Sequence, residues 1–405
     1  MFHAYRQLFS RPGTAAFVLA GLLARLPLSM TGIGLITMLS QQRGAYTLAG
    51  AVAACFALSI AVLAPRISAL VDRHGQRKVL PWAAAVSAAA MFALLACAHW
   101  QGPEWLLLVL AALVGALPSM PAMVRARWTV LLRGTPQLQT AYALEAVLDD
   151  VCFIVGPPLS VGLSMVLFPE AGPLAASLLL LVGVALFVAQ RRTEPPVDTS
   201  QRRTRQQSLA RHPVVRTLAL FMLAQGIIVG TIDVASVAFA TQQASPAASI
   251  VLSFYALGSC VMGLVFGTLR LKAPLHRQIA WVGASVCITA VPLLLATNVF
   301  TLTLAVLLAG ITFGPTITVA MGLVEQQVPP QRLTEGMTWL LTGIAMGVAL
   351  GAAAAGWATD LWGARISFVV ALLAGAVMWT LGVLAARQAR AKESPPAEDA
   401  AAACT

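Results

Sequence analysis

Charge is what this sequence has least of. Only 10 % of its 405 residues are Asp, Glu, Lys or Arg, against about 25 % in an ordinary soluble domain. A soluble enzyme and a disordered chain both need more, the first to cover its surface and the second to stay solvated. Cysteine is sparse too. Of Cys55, Cys97, Cys152, Cys260, Cys287 and Cys404, five lie inside apolar runs, with no CxxC spacing and no neighbouring His. They read as small buried hydrophobes, which argues against a disulfide scaffold or a thiolate metal site. His74 and His276 fall in loops without ligand spacing, so neither metal nor cofactor is expected. There is no HExxH, GxSxG or P-loop and no extramembrane stretch to hold one, which argues against a membrane enzyme. A membrane sensor or scaffold would carry an added signalling domain or long tail, and none is expected from the pattern of runs. Lysine is nearly missing, at 3 against 23 Arg. With abundant Ala, this reads as codon bias in a GC-rich genome. The net charge of +11 and pI of about 10.1 do not imply nucleic-acid binding, because the basic residues sit between hydrophobic runs rather than on a basic face.

What the chain has is apolar length. Apolar residues make up 59 % and the mean hydropathy is +0.83. A spanning helix uses about 20 residues, so there is room for a dozen. The runs predict helices at 14–40, 46–70, 79–98, 104–127, 140–167, 172–190, 215–240, 247–269, 278–297, 300–324, 334–358 and 365–386. The first run is too long for a signal peptide and contains Arg25, so it reads as an uncleaved helix. The polar stretch 191–213 holds Arg191, Arg192, Arg202, Arg203, Arg205 and Arg211 with Pro195 and Pro196. It divides the chain into a six-helix bundle at 1–190, a basic loop at 191–213 and a second bundle at 214–388, followed by a disordered tail at 389–405. Cytoplasmic loops retain Lys and Arg. With both termini inside, 23 of 26 basic residues lie on the cytoplasmic side; Arg43 and Arg365 fall outside and Arg25 lies within the membrane.

A short unit recurs. Ser68, Asp72, Gly75 and Arg77 after the second helix match Gly356, Asp360, Gly363 and Arg365 after the eleventh in the pattern small-x-x-x-Asp-x-x-Gly-x-Arg. Duplicated transporter halves show such repeats at helix ends. The turn after the eighth helix, with Arg270, Lys272 and Arg277, has lost the Asp and Gly.

Few ionisable residues fall within the spans, where each costs about 2.5–3.5 kcal/mol on insertion scales. Asp233 lies inside the seventh helix, with Gly226 and Gly230 on the same face at i, i+4, i+7. The small residues suggest space for substrate or water around a buried, proton-carrying carboxylate; the alternative is an Asp satisfied by hydroxyls of a neighbouring helix. Arg25 in the first helix and Asp149 and Asp150 in the fifth reach similar depth, about 15 Å in at 1.5 Å per residue. They read either as a proton-sensitive substrate or coupling site or as a permanent structural salt bridge. Asp149 and Asp150 point about 100° apart, so at most one faces Arg25. Glu145, a shallower layer of the fifth helix, belongs to the same candidate coupling and cavity group; Arg125 and Arg127 read first as topology charges, with a pairing of either one to Glu145 as the alternative.

Twelve helices in two halves, the basic central loop and the 68–78 element together resemble the major facilitator superfamily over residues 10–388. Ser68 stands where Gly is usual. Gly156-Pro157-Pro158-Leu159-Ser160-Val161-Gly162 in the fifth helix resembles the Gly-Pro-rich element of the drug:proton antiporter branch. The fourth-helix Arg of that branch is missing, and its place is Ala111. The resemblance implies an all-α polytopic fold of two six-helix bundles related by a pseudo-two-fold axis, in a monomer. It implies that Asp72 and Arg73, with Gly75 allowing a tight turn, latch the cytoplasmic face against Arg332 and Glu335 at the start of the eleventh helix; the alternative is that Arg73, Arg77 and Lys78 serve as topology charges, the reading favoured for Arg77 and Lys78. The expected function is secondary transport by alternating access in a bacterial inner membrane. A small organic or amphipathic molecule would be exported against protons, the alternative being proton-driven nutrient uptake. The partners are then cargo, protons and lipid, without nucleic acid.

Overall fold

The computed structural model describes residues 2–10, 12–43, 46–196, 209, 212–242, 248–269, 271 and 273–393. Sixteen α-helices run through them: α1 (Phe2–Leu8), α2 (Thr14–Arg43), α3 (Tyr46–His74), α4 (Gln76–His99), α5 (Glu104–Val114), α6 (Met120–Leu132), α7 (Gln137–Val166), α8 (Ala171–Ala189), α9 (Pro213–Gln242), α10 (Ala248–Phe266), α11 (Leu275–Leu295), α12 (Val299–Ile311), α13 (Phe313–Gln327), α14 (Leu333–Trp362), α15 (Ala364–Ser367) and α16 (Val369–Glu393). Taking α5–α6, α12–α13 and α15–α16 as interrupted spans gives twelve crossings. Among the described residues ten helical stretches, with Val299–Gln327 and Ala364–Arg390 each taken as one, are long and apolar enough to cross a bilayer, while Glu104–Val114 and Phe254–Phe266 are shorter. Large apolar side chains stand exposed along them, among them Leu58, Trp82, Val166, Phe300 and Leu373. A soluble protein would hide these, and hydrocarbon accommodates them.

Three expected boundaries move. The span expected at 104–127 breaks between α5 and α6, where Pro118 and Pro121 lack the N–H a continuous helix needs. The carbonyls released there find other donors. Ser59 of α3 donates to Ala112 O at 2.5 Å, and Ser87 of α4 donates to Val114 O, four residues before Pro118, at 2.7 Å. The span expected at 300–324 breaks at Thr312, which places Pro315 in the first turn of α13, where its missing N–H costs nothing. The tail expected to be disordered from 389 is helical through Glu393; the remainder lies outside the described residues. The short helix α1 was not foreseen.

The chain forms two compact units. Unit 1 comprises Met1–Arg205, Gly263–Thr268 and Pro330–Thr338; unit 2 comprises Gln206–Met262, Leu269–Pro329 and Trp339–Thr405. The division thus departs from contiguous halves, since the end of α10 and the start of α14 fold with unit 1. Residues 191–196, expected to be loop, also join it, with Arg191–Thr193 as a 3₁₀ turn. Arg202, Arg203, Arg205 and Arg211 of the expected basic loop, with Arg270 and Lys272, lie outside the described residues.

In unit 1, α2 packs between α7 and α8, and α8 also covers α4. Small residues permit this. A Cβ on Gly183 of α8 would fall 2.5 Å from the backbone N of Ala24, and one on Gly156 of α7 would overlap Ser29 Oγ. In unit 2, α16 packs on α9 and α11. The pairing of first with sixth span and third with sixth in unit 1 therefore recurs as seventh with twelfth and ninth with twelfth. The repeated turns agree in backbone detail: Gly75 precedes α4 at φ 89° and ψ 151°, and Gly363 precedes α15 at φ 87° and ψ 161°. Both lie where a Cβ is strained, which explains the recurrent glycine.

In unit 1, Tyr5 of α1 donates to Leu264 O at 2.7 Å, and Thr140 of α7 donates to Gly267 O at 2.5 Å. Burial pushes the Tyr5 phenol up to about 12, so it remains a donor. In unit 2, glycines interleave. A Cβ on Gly226 or Gly230 of α9 would overlap Ile344 O or Val348 O of α14; one on Gly343, Gly347 or Gly351 would overlap Ala219 O, Leu223 O or Ile227 O of α9. The two helices meet backbone to backbone, as small residues allow in membranes.

Gly347→Ala is expected to lower the stability of the detergent-solubilised protein by about 1–3 kcal/mol, the usual penalty of overpacking. Gly356→Ala, elsewhere on α14 with open space around it, is expected to be neutral or to stabilise by up to about 1 kcal/mol. Thermal unfolding of both variants checks the contrast.

Candidate functional site

A buried charge cluster sits where α2, α6 and α7 meet in unit 1. The near-contact of Gly21 with Val124 brings α2 against α6, so Arg25, one turn on, points at α6 and α7. Arg25 pairs with Glu145 Oε2 and, at 2.7 Å, with Asp149 Oδ1. The other oxygens of both acids are occupied as well: Trp128 donates to Glu145 Oε1 at 2.8 Å, and Arg125 donates to Asp149 Oδ2 at 2.6 Å. Two cations and two carboxylates thus cancel, as burial in a bilayer demands. Arg25, Arg125 and Glu145 are almost fully buried, whereas the Asp149 side chain is 16 % exposed.

The sequence reading paired Arg25 with Asp149 or Asp150, and the structure brings Asp149 to it. Asp150, the next residue on α7, is half-buried. The alternative pairing of Glu145 with Arg125 or Arg127 is corrected: Glu145 binds Arg25, and Arg125 binds Asp149. Glu145 and Asp149 stand four residues apart on one face of α7, so a single guanidinium spans both. Arg125 and Trp128, which sequence reasoning left as a topology charge and an unremarked aromatic, belong to the same cluster. Their i, i+3 spacing on α6 was the signal that would have found them.

Asp233, within α9, has an exposed side chain that makes no hydrogen bond or ion pair among the described residues. Gly226 and Gly230, expected to leave space around it, are instead filled by the backbone of α14. Gly156 meets α2 as described, and Pro157 and Pro158 follow within an unbroken α7.

Two helix ends in unit 1 are closed by carboxylates from elsewhere. Asp72 at the end of α3 accepts from Glu335 N at 2.8 Å and from the Thr334 hydroxyl at the start of α14. The first four N–H groups of a helix have no partner within it and carry partial positive charge, so the carboxylate suits both needs. Glu335 itself pairs with Arg332 at 2.9 Å. Glu194 accepts from Arg77 N in the first turn of α4 at 2.9 Å. The strap carrying Glu194 is held by Arg127, which donates to Gln76 Oε1, Thr193 Oγ1 and Gln190 O at 2.8–3.0 Å and lies 3.7 Å from the Phe187 ring centre. The side chains of Arg73 and Arg77 are exposed. Among the described residues no group of three His, Cys, Asp or Glu could hold a metal.

Arg25→Gln, which leaves the fully buried Glu145 carboxylate without a cation, is expected to cost about 3–5 kcal/mol. Arg73→Gln, at an exposed position, is expected to stay within about 0.5 kcal/mol of the parent. Unfolding in detergent compares the two.

Comparison with solved structures gives three chains of the same fold. The human organic anion transporter MFSD10 (TETRAN) aligns with a TM-score of 0.70 at 15 % identity, over 91 % of this chain and 98 % of that one. A bacterial homologue of the iron transporter ferroportin, in an outward-facing state, gives 0.71 at 14 %, over 92 % and 99 %. The E. coli transporter FucP, in an outward conformation, gives 0.69 at 13 %, over 92 % and 98 %. No curated protein sequence matches. The model of the Major Facilitator Superfamily matches residues 17–297 and 217–404, so this multi-pass chain belongs to that superfamily of secondary transporters.

Proposed function

We propose that this protein exports a small organic molecule by alternating access in exchange for protons, as a monomer in a bacterial inner membrane with both termini in the cytoplasm. The observation that carries the reading is the cluster of Arg25, Arg125, Glu145 and Asp149. Such a group is costly in hydrocarbon and offers a gradient-driven protein ionisable atoms at membrane depth. Asp149 is its most exposed member, hence the one protons reach. Asp233 is the second proposed proton carrier, being a carboxylate within α9 whose exposed side chain has no partner among the described residues. The likeness of Gly156, Pro157 and Pro158 to the antiporter element favours export. Asp72, Arg73, Gly75, Arg77, Arg332 and Glu335 form the proposed gate, where a carboxylate cap on α14 is a contact that can break and re-form without covalent chemistry.

Uptake together with a proton is the second reading. One observation favours it: the cluster holds two arginines, and an anion travelling with a proton moves no net charge.

Proteoliposomes holding a pH-sensitive dye and loaded in turn with benzoate, tetraphenylphosphonium or glucose test both. Protons entering as cargo leaves mark exchange, and protons leaving with cargo mark cotransport. Asp149→Asn is expected to abolish proton movement while cargo still equilibrates down its own gradient. Unchanged proton coupling in Asp149→Asn, or in Asp233→Asn, would remove that residue from the mechanism.

A further inference from the structure

Among the described residues, Arg125 has more buried donors without a partner than any other charged side chain. It is fully buried, and of its three guanidinium nitrogens only Nη2 is used, on Asp149. Nε and Nη1 are buried and make no hydrogen bond. The other members of the cluster differ. Both oxygens of Glu145 and both of Asp149 are taken, and all three nitrogens of Arg25 donate: Nε to Gly21 O, Nη1 to Asp149 and Nη2 to Glu145. An arginine cannot shed its charge by losing a proton. Stranding buried donors on a fixed cation is therefore among the costliest arrangements a membrane span can hold. A purely structural ion pair would have met those donors with a carbonyl or hydroxyl, as Ser59 and Ser87 meet the carbonyls at the α5–α6 break.

We propose that Arg125 is an anion-binding residue: the unused nitrogens of its guanidinium, beside the partly exposed Asp149, receive a carboxylate or a similar planar oxyanion on the transported molecule. The inference rests on the transporter reading and adds the cargo's chemical class to it. Guanidinium donors match planar oxyanions in geometry and in charge. Asp149 is the cluster's exposed edge and the present partner of Arg125, so the incoming anion approaches past it and competes with it for the same cation. Arg25 continues to hold Asp149 through Oδ1, which keeps the carboxylate paired while Arg125 changes partner. Cys152 and Asp150, one turn or less further along α7, complete the titratable groups of that helix near the exchange, and Glu145 stays bound to Arg25 and Trp128 throughout.

Competition gives the proposal a sign that a structural role would not produce. Purified protein in nanodiscs is titrated with benzoate and with succinate, and with benzamide and benzylamine as neutral and cationic counterparts, following the thermal midpoint and heat of binding. The parent is expected to bind at least one of the two anions and neither counterpart. Asp149→Asn, which keeps the shape but removes the competing charge, is expected to bind that anion about tenfold more tightly, and Arg125→Gln about tenfold more weakly or not at all. Arg125→Lys, which retains the charge and so guards against unfolding of Arg125→Gln, is expected to bind with intermediate strength. Weaker anion binding by Asp149→Asn than by the parent, equal binding by folded Arg125→Gln, or no response of parent and Asp149→Asn to either anion would overturn the proposal. Flux separates it from the reading beneath it. Flux of tetraphenylphosphonium or glucose without anion binding sinks the anion site alone. Anion binding without flux of any cargo sinks the transporter reading alone.

Discussion

A guanidinium that can neither leave hydrocarbon nor lose its proton has to be met by acids from another helix, and unit 1 is arranged around that demand. Arg25 lies on α2 and its carboxylates lie on α7, so the two helices must stay close and in register. Gly156 and Gly183 supply the closeness by letting α2 sink onto α7 and α8. The register follows from the four-residue spacing of Glu145 and Asp149. Arg125 and Trp128 then add α6, so three spans share one neutral cluster. Removing Arg25 leaves Glu145 without a cation and removing Asp149 leaves Arg125 without an anion, which is why the cluster is at once an anchor and a vulnerable point.

The same logic works more gently at the helix ends. Asp72 and Glu194 both close the first turn of a helix to which they do not belong, one at α14 and one at α4. In each case a carboxylate substitutes for the N-cap side chain that the helix lacks locally: Gly75 cannot supply one to α4. Caps borrowed from distant segments add polar ties between parts of the chain far apart in sequence. They help residues 191–196, expected as loop, and 330–338, expected as a connection running into the eleventh helix, to fold with unit 1.

Much of this was legible in the sequence because the bilayer simplifies the problem. Apolar length gives the spans directly, and the scarcity of charge makes Arg25, Glu145 and Asp149 stand out. The glycine of the repeated turn announces itself because only glycine tolerates the φ found at positions 75 and 363. What escaped depended on direction rather than on residue type. Glu145 and Asp149 share a face of α7, a fact of helical spacing that depth alone does not reveal. Arg125 was hidden among basic residues whose usual task is orientation. The glycines near Asp233 misled for a related reason. A missing side chain leaves a hollow on an isolated helix, but in the folded unit α14 fills it with its own backbone. The interruptions at Gly115 and Thr312 were invisible to an apolar count, since hydropathy continues across them unchanged.

The broken fourth span bears on how the protein is made. α5 has 11 residues and α6 has 13, each well short of the roughly 20 that hold a helix across lipid unaided. Its exposed carbonyls are answered by hydroxyls on α3 and α4, and its arginine by an acid on α7. The segment therefore leans on its neighbours for its polar groups, and because α7 follows it in the chain, the acid that answers Arg125 is synthesised after the arginine itself.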